Sequence, residues 1–204
     1  MLLKLLQLSN SAFPLGAYSY SEGLESAIAQ QIIHRKEDLS QWLQDELSHG
    51  TIRLETALML RGYRCWVKGD LSGLEAWNQW GSAIKETSEL REQSWQMGNT
   101  LTRLFLALEN HPDLEKRIKA VGKPCNYAIA MGIVSAYWKI EEYSAILGSL
   151  HSWTTNLINA GVKLIPLGQT AGQQLLSQLH PQIETAATEI LQLKDDELYT
   201  CSWG

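Results

Sequence analysis

The residues of this sequence able to do bond chemistry are five histidines, three cysteines and a set of serines near the N-terminus. Metal ligation needs lone pairs at fixed separations, usually supplied by patterns such as HxH, HxxxH or CxxC. His34, His49, His111, His151 and His180 are scattered singly and form no such pattern, with one another or with a cysteine. They read as solvated or ordinary core histidines. Cys65, Cys125 and Cys201 are far apart and odd in number, so they make no disulfide framework and point to a reducing compartment. Cys65 and Cys125 sit in apolar segments and read as small buried hydrophobes. Ser9, Ser11, Ser19 and Ser21 lack the G-x-S-x-G turn that presents a nucleophile, and read as caps and turn residues. A GxxxxGK[ST] phosphate loop is missing too. The expectation is a protein with no catalytic residue, no cofactor and no metal site of its own.

Recognition is then the more promising use of its polar residues. Lys85, Glu86, Glu89, Arg91 and Glu92 crowd the start of one helical segment. They form either a solvated face laced with i,i+3 and i,i+4 ion pairs or a surface for a partner. Glu25 and Lys163 differ from these, because each is a charge beside a turn built from proline and glycine. Eight tryptophans are too many for chance exposure, and read mostly as core or groove residues with one or two as interface anchors.

Composition bounds the class. The 204 residues suffice for a single domain, 45% of them are hydrophobic, and 17 Lys and Arg stand against 22 Asp and Glu for a net charge of −5. A mildly acidic chain supplies no basic field, so nucleic acid is not an expected partner. The apolar start at Met1 to Leu8 runs into polar Ser9, Asn10 and Ser11, too short for a secretory leader, and no stretch approaches the ~20 apolar residues of a membrane span. A cytoplasmic protein with no membrane partner is expected.

Helical periodicity must position these residues, since alternating strand-like runs are missing. Leu90, Met97, Leu101, Leu104, Phe105 and Leu108 share one face of a helix. Leu39 through Tyr63 forms another run, with Gly50 as a possible break. Further helices are expected over about Leu71–Ala83, Asn126–Trp138, Ser144–Val162, Gly172–Leu179 and Ile183–Leu193. Ser19 with Glu22, and Thr170 with Gln173, match capping boxes; Asp70 suits an N-cap; Pro112 and Pro181 suit first helical turns. Gly23, placed inside the first turn of a helix, would cost roughly 1 kcal/mol relative to alanine. The expected fold is all-α, a single bundle of about eight to nine helices spanning residues 1–204.

Three stretches carry a family resemblance. Leu6 to Ser9 leading into Pro14, Leu15, Gly16, Ala17, Tyr18, Ser19, Tyr20, Ser21, Glu22, Gly23, Leu24 and Glu25 resembles the N-terminal pattern of UreF proteins. Lys85 to Glu92, with Glu86 and Arg91, followed by Gln96, Met97 and Gly98, resembles that family's central helix. Gly161 through Lys163, Pro166, Gly168 and Gln169 to Thr170 resembles its C-terminal helix junction. The resemblance implies a non-catalytic, dimerising helical scaffold that bridges UreD (also called UreH) and the GTPase UreG to apo-urease and regulates GTP-dependent nickel insertion. It maps Glu25 and Lys163 onto positions associated with UreG, with Tyr18, Tyr20, Glu86, Arg91 and Gln169 as further partner-binding candidates. Family members continue into a tail associated with UreD, with a His-Glu-Thr run and an Arg-Leu-Phe-Arg-Ser ending, whereas this sequence stops at Cys201, Ser202, Trp203 and Gly204. Two rival readings are a small-ligand-binding helical enzyme using the Tyr18–Glu25 turn, and a helical oligomer with no metal pathway.

Overall fold

A computed structural model of the chain describes residues 2–10 and 23–198, and among these every regular element is helical. The helices are α1 (Leu2–Leu8), α2 (Leu24–Ala29), α3 (Lys36–His49), α4 (Thr51–Lys68), α5 (Leu71–Ala83), α6 (Ser88–Glu109), α7 (Pro112–Ala120), α8 (Tyr127–Tyr137), α9 (Glu142–Leu164) and α10 (Gln169–Gln192), with a 3-10 turn at Asp195–Glu197. The all-α class read from the sequence is the class observed. Their ends follow local chemistry. Gly50 separates α3 from α4; the Asp70 carboxylate accepts from the Gly73 amide at 2.8 Å to cap α5; the Asn126 side chain accepts from Ala128 N to cap α8; Pro112 opens α7.

Two expectations need correction. The predicted pair of helices around Pro181 is a single helix, α10, with the proline inside it. An interior proline costs about 3 kcal/mol. The apolar face nevertheless continues across it, with Leu175 and Leu179 before and Ile183, Ala186, Ala187 and Ile190 after, all buried. Burying the two isoleucines alone contributes about 1.5–3 kcal/mol each, enough to outweigh the break. On α6, the predicted stripe is buried only at its middle, through Met97, Leu101 and Phe105, while Leu90 and Leu108 at its ends are exposed. Ser94, Gly98 and Thr102 complete the buried face.

Packing divides the chain into two compact units, Met1–Leu5 with Glu55–Ala145, and Leu6–Leu54 with Ile146–Gly204. In the first, α8 is the centre: all nine residues from Ala128 to Ala136 are buried, with α6 and α5 packed against it. Where α8 meets α4 the contact is backbone on backbone. A Cβ at Gly132 would stand 2.2 Å from the Met59 carbonyl oxygen and 2.7 Å from the Tyr63 nitrogen, and one at Gly62 would meet the Ile129 backbone at 3.2 Å. The end of α8 is held by aromatic and charged groups. Phe105 meets Tyr137 edge-on at 5.1 Å, the Trp138 indole N–H donates to Glu109 at 2.6 Å, and Lys4 sits 4.3 Å over the Trp138 ring. In the second unit α3 packs on α10 through buried Leu39, Leu43 and Leu47.

The α4–α8 contact gives a test whose sign is informative. In an open helix Gly→Ala is stabilising by roughly 1 kcal/mol. Gly132→Ala should instead destabilise by about 2–3 kcal/mol in urea unfolding, because backbone atoms cannot swing aside. Gly62→Ala should cost less, and a more stable Gly132→Ala protein would disprove the close crossing.

Candidate functional site

Of the sequence-predicted site residues, Glu25, Lys163 and Gln169 fall in the second unit. Contrary to the expectation from the sequence, Gly23 does not lie within a helix but precedes α2 as its N-cap with φ 90°. This left-handed conformation suits glycine, so the anticipated helix penalty does not arise. The following residue, Leu24, is fully buried and anchors α2, and Glu25 beside it is exposed. A carboxylate in a first turn also faces the positive end of the helix.

Lys163 lies in the last turn of α9, exposed, where a cation faces the negative helix end. The chain then turns through buried Ile165, whose amide bonds the Gly161 carbonyl at 2.7 Å, and through Pro166 to Gly168. Gly168, at φ 73°, is the N-cap of α10, and no side chain caps this end. The predicted Thr170–Gln173 capping box is therefore not formed: the helix starts at Gln169, which is exposed, and Thr170 is already inside it. Tyr18, Tyr20 and the Ser19–Glu22 capping box lie outside the described residues.

Glu86 and Arg91 fall in the first unit. Lys85 and Glu86 precede α6 rather than lying on it, because Thr87 caps the helix by accepting from the Leu90 amide at 3.2 Å. Lys85 reaches back to pair with Glu55 of α4 instead of a neighbour in its own cluster. Glu86 is exposed. The Glu89 carboxyl is held below its usual range by its own backbone amide and by the hydroxyls of Thr87 and Ser88. Arg91 lies 5.5 Å from the Trp95 ring centre, a cation over an aromatic face one helical turn away.

Arg91 and Trp95 line an open groove of about 450 Å³ with Ser82, Asn78, Lys123 and Pro124. Its floor is built on buried polar bonds. The Asn78 side chain accepts from the Asn126 amide at 2.7 Å and donates to the Pro124 carbonyl at 3.0 Å, and the Trp95 indole N–H donates to Ser82 at 2.9 Å. Arg91 stands over the indole face while Lys123 and Glu75 also line the groove, a mixed-charge surface suited to polar contacts. This groove leaves no motif in the sequence; the i,i+4 spacing of Arg91 and Trp95 is the one visible hint of it. Asn78→Ala leaves the Asn126 amide and the Pro124 carbonyl without that partner, and should cost about 2–4 kcal/mol in chemical denaturation. A loss under about 1 kcal/mol would mean that water replaces the amide.

Among the reactive residues, Cys65 and Cys125 are buried as expected, and burial pushes the Cys125 thiol up to about 12, far from a reactive thiolate. His151 of α9 and His180 of α10, unconnected in sequence pattern, have ring centres 6.2 Å apart. Burial, and then the nearby His180, hold His151 below its usual value of 6.5. The unfolded chain therefore takes up this proton first. The associated stability is present above about pH 6.5 and is lost as pH falls toward the lower folded value. Comparing His151→Gln with the unaltered chain in pH-dependent melts should show a shallower loss as pH falls below about 6.5; parallel curves would reject the linkage. Among the described residues no group of three or more His, Cys, Asp or Glu could hold a metal, and no helix is long and apolar enough to cross a membrane.

The geometry defines an all-α protein whose polar side chains are arranged on turns and in a shallow groove. The family model for UreF matches residues 33–180. The chain is 54% identical to a protein from Trichormus variabilis over 202 residues and 56% identical to one from Nostoc, covering 99% of this chain and 87% of each relative. It is 34% identical to a protein from Pseudoalteromonas translucida, covering 97% of this chain and 84% of the relative. All three relatives are named urease accessory protein UreF. The chain belongs to the UreF family.

Proposed function

We propose that the chain is a urease accessory protein: a non-catalytic cytoplasmic scaffold that bridges UreD and the GTPase UreG to apo-urease and regulates GTP-dependent nickel insertion. The observation that carries this reading is similarity over 99% of the chain to proteins named urease accessory protein UreF. The residue chemistry is consistent with it. Glu25, Lys163 and Gln169 stand exposed at helix ends, where a partner reaches them without opening the fold. Arg91 with Trp95, and the neighbouring Glu86, offer a second polar contact region in the other unit. Tyr18 and Tyr20 belong to the same proposed set by resemblance. Leu2 and Leu3, 65% and 80% exposed, add apolar area of the kind a dimer or partner contact covers.

In this scheme Glu25 and Lys163 set register and partner choice through charge, while buried apolar contact supplies affinity. Co-purification with UreD and UreG, followed by activation of apo-urease, tests the assembly. Glu25→Ala and Lys163→Ala should each change unfolding free energy by no more than ~0.5 kcal/mol. Both should lower urease activation and weaken the coupling to GTP hydrolysis. Full activation by both variants would reduce the two residues to idle surface charges, and a large fall in melting temperature would make them structural.

A further inference from the structure

The groove between α5, α6 and the segment joining α7 to α8 carries both signs of charge, and its charges are not spent on one another. Among the described residues Glu75 is the one carboxylate lining it, with Arg91 and Lys123 as cations, and none of the three makes an ion pair. Glu75 and Arg91 stand toward opposite ends. The Glu75 side chain lies against Gly122, where a Cβ would meet it at 3.9 Å. Arg91 sits one turn before Trp95, whose indole bonds Ser82 near the other end of α5. From Glu75 to Ala83 the groove follows about 12 Å of helix. The facing wall is non-helical chain at 121–125, fastened where Asn78 donates to the Pro124 carbonyl. Within it Lys123 has neither its N–H nor its C=O hydrogen-bonded among the described residues. Gly122, at φ 92°, puts no side chain into the space.

Resting on the reading of Arg91 and Trp95 as a partner contact, we propose that this groove takes an extended peptide segment of a partner protein, with a basic side chain at Glu75 and an acidic one, four residues along, at Arg91. An extended chain advances about 3.3 Å per residue and returns its side chains to one face at every second residue. Residues i and i+4 are therefore about 13 Å apart on the same face, a match to the length of the groove. The residue midway faces the same way, where Trp95 and Pro124 suit a small apolar side chain. Arg91 offers the carboxylate a planar pair of donors, and its place over the indole reduces the freedom lost on binding. The unpaired N–H and C=O of Lys123 are groups that an added strand bonds. A wholly acidic segment sets a carboxylate against Glu75, and a wholly basic one sets a cation against Arg91. The groove therefore selects mixed charge.

The test titrates the isolated full chain, labelled for amide NMR, with the peptide acetyl-Lys-Thr-Val-Thr-Glu-amide, whose β-branched residues favour an extended form. Amides at 75–83, 91–95 and 121–125 should shift saturably, and acetyl-Gln-Thr-Val-Thr-Gln-amide should bind at least about threefold more weakly. Arg91→Gln should weaken the mixed peptide by a similar factor, while Lys116→Gln on the exposed face of α7 should leave it unchanged. Glu75→Lys should reverse the preference, so that acetyl-Glu-Thr-Val-Thr-Glu-amide binds more tightly than the mixed peptide. Circular dichroism checks the fold of each variant. Glu75→Gln replaces a Glu75→Lys chain that fails to fold, and should bind the mixed peptide no better than one with Gln in place of its Lys. Three results would overturn the proposal: no saturable shift, shifts centred away from the groove, or equal or tighter binding of the uncharged or all-acidic peptide by the unaltered chain. No urease component enters the titration, so failure of the accessory role shows only in urease activation, and failure of the groove only here.

Discussion

The direct contact between the backbones of α4 and α8 is the constraint on which the first unit rests. At Gly132 there is no room for a single methyl group between α8 and the carbonyl of Met59. That closeness leaves α8 surrounded, so its sequence can be Ala, Ile, Met, Gly and Val almost without interruption. A helix buried on every side carries no amphipathic stripe, and its position is fixed by shape more than by a choice of apolar face. Everything packed on it inherits that position, including the long α6 with its buried Met97, Leu101 and Phe105.

The groove follows from the same arrangement. Because α8 begins at a fixed place, the Asn126 amide that precedes it is buried and requires an acceptor, and Asn78 of α5 supplies one. The same side chain holds the Pro124 carbonyl, so the segment between α7 and α8 is fastened to α5 at two points. Trp95 of α6 then stands against Ser82 of α5, and Arg91 covers its ring. A surface feature is in this way set by buried hydrogen bonds, each worth about 1 kcal/mol net but costly to leave unmade.

The helices were legible wherever period and cap agreed. Leu71–Ala83 could be read to the residue because Asp70 provides a side-chain cap, and Gly50 marked the break between α3 and α4 correctly. Local reading failed where tertiary burial outweighed a local cost, as at Pro181, or where glycine adopted positive φ, as at Gly23 and Gly168. In both glycine cases the helix begins at a place that side-chain capping patterns do not identify. Of the candidate site, the exposure of Glu25 and Lys163 was legible from the neighbouring turns. The groove was not, since Asn78, Trp95 and Pro124 meet only through packing. Family membership came from whole stretches of sequence, which carry more information than any one spacing.

The histidines show why spacing within a chain reveals only some of the side chains that a fold brings together. Patterns such as HxxxH detect ligands that share a helix, because a turn of helix places them side by side. Ligands on two helices have no required separation in sequence and leave no pattern. His151 and His180 are neighbours of this kind without being shown as ligands, brought together because buried residues beside them on α9 and α10 hold both helices in one unit. Their nearness has an electrostatic consequence of its own. Burial, and then the nearby His180, lower the proton affinity of His151. The packing that sets the distance also lowers the proton affinity of His151, so geometry and electrostatics at this position have a single cause.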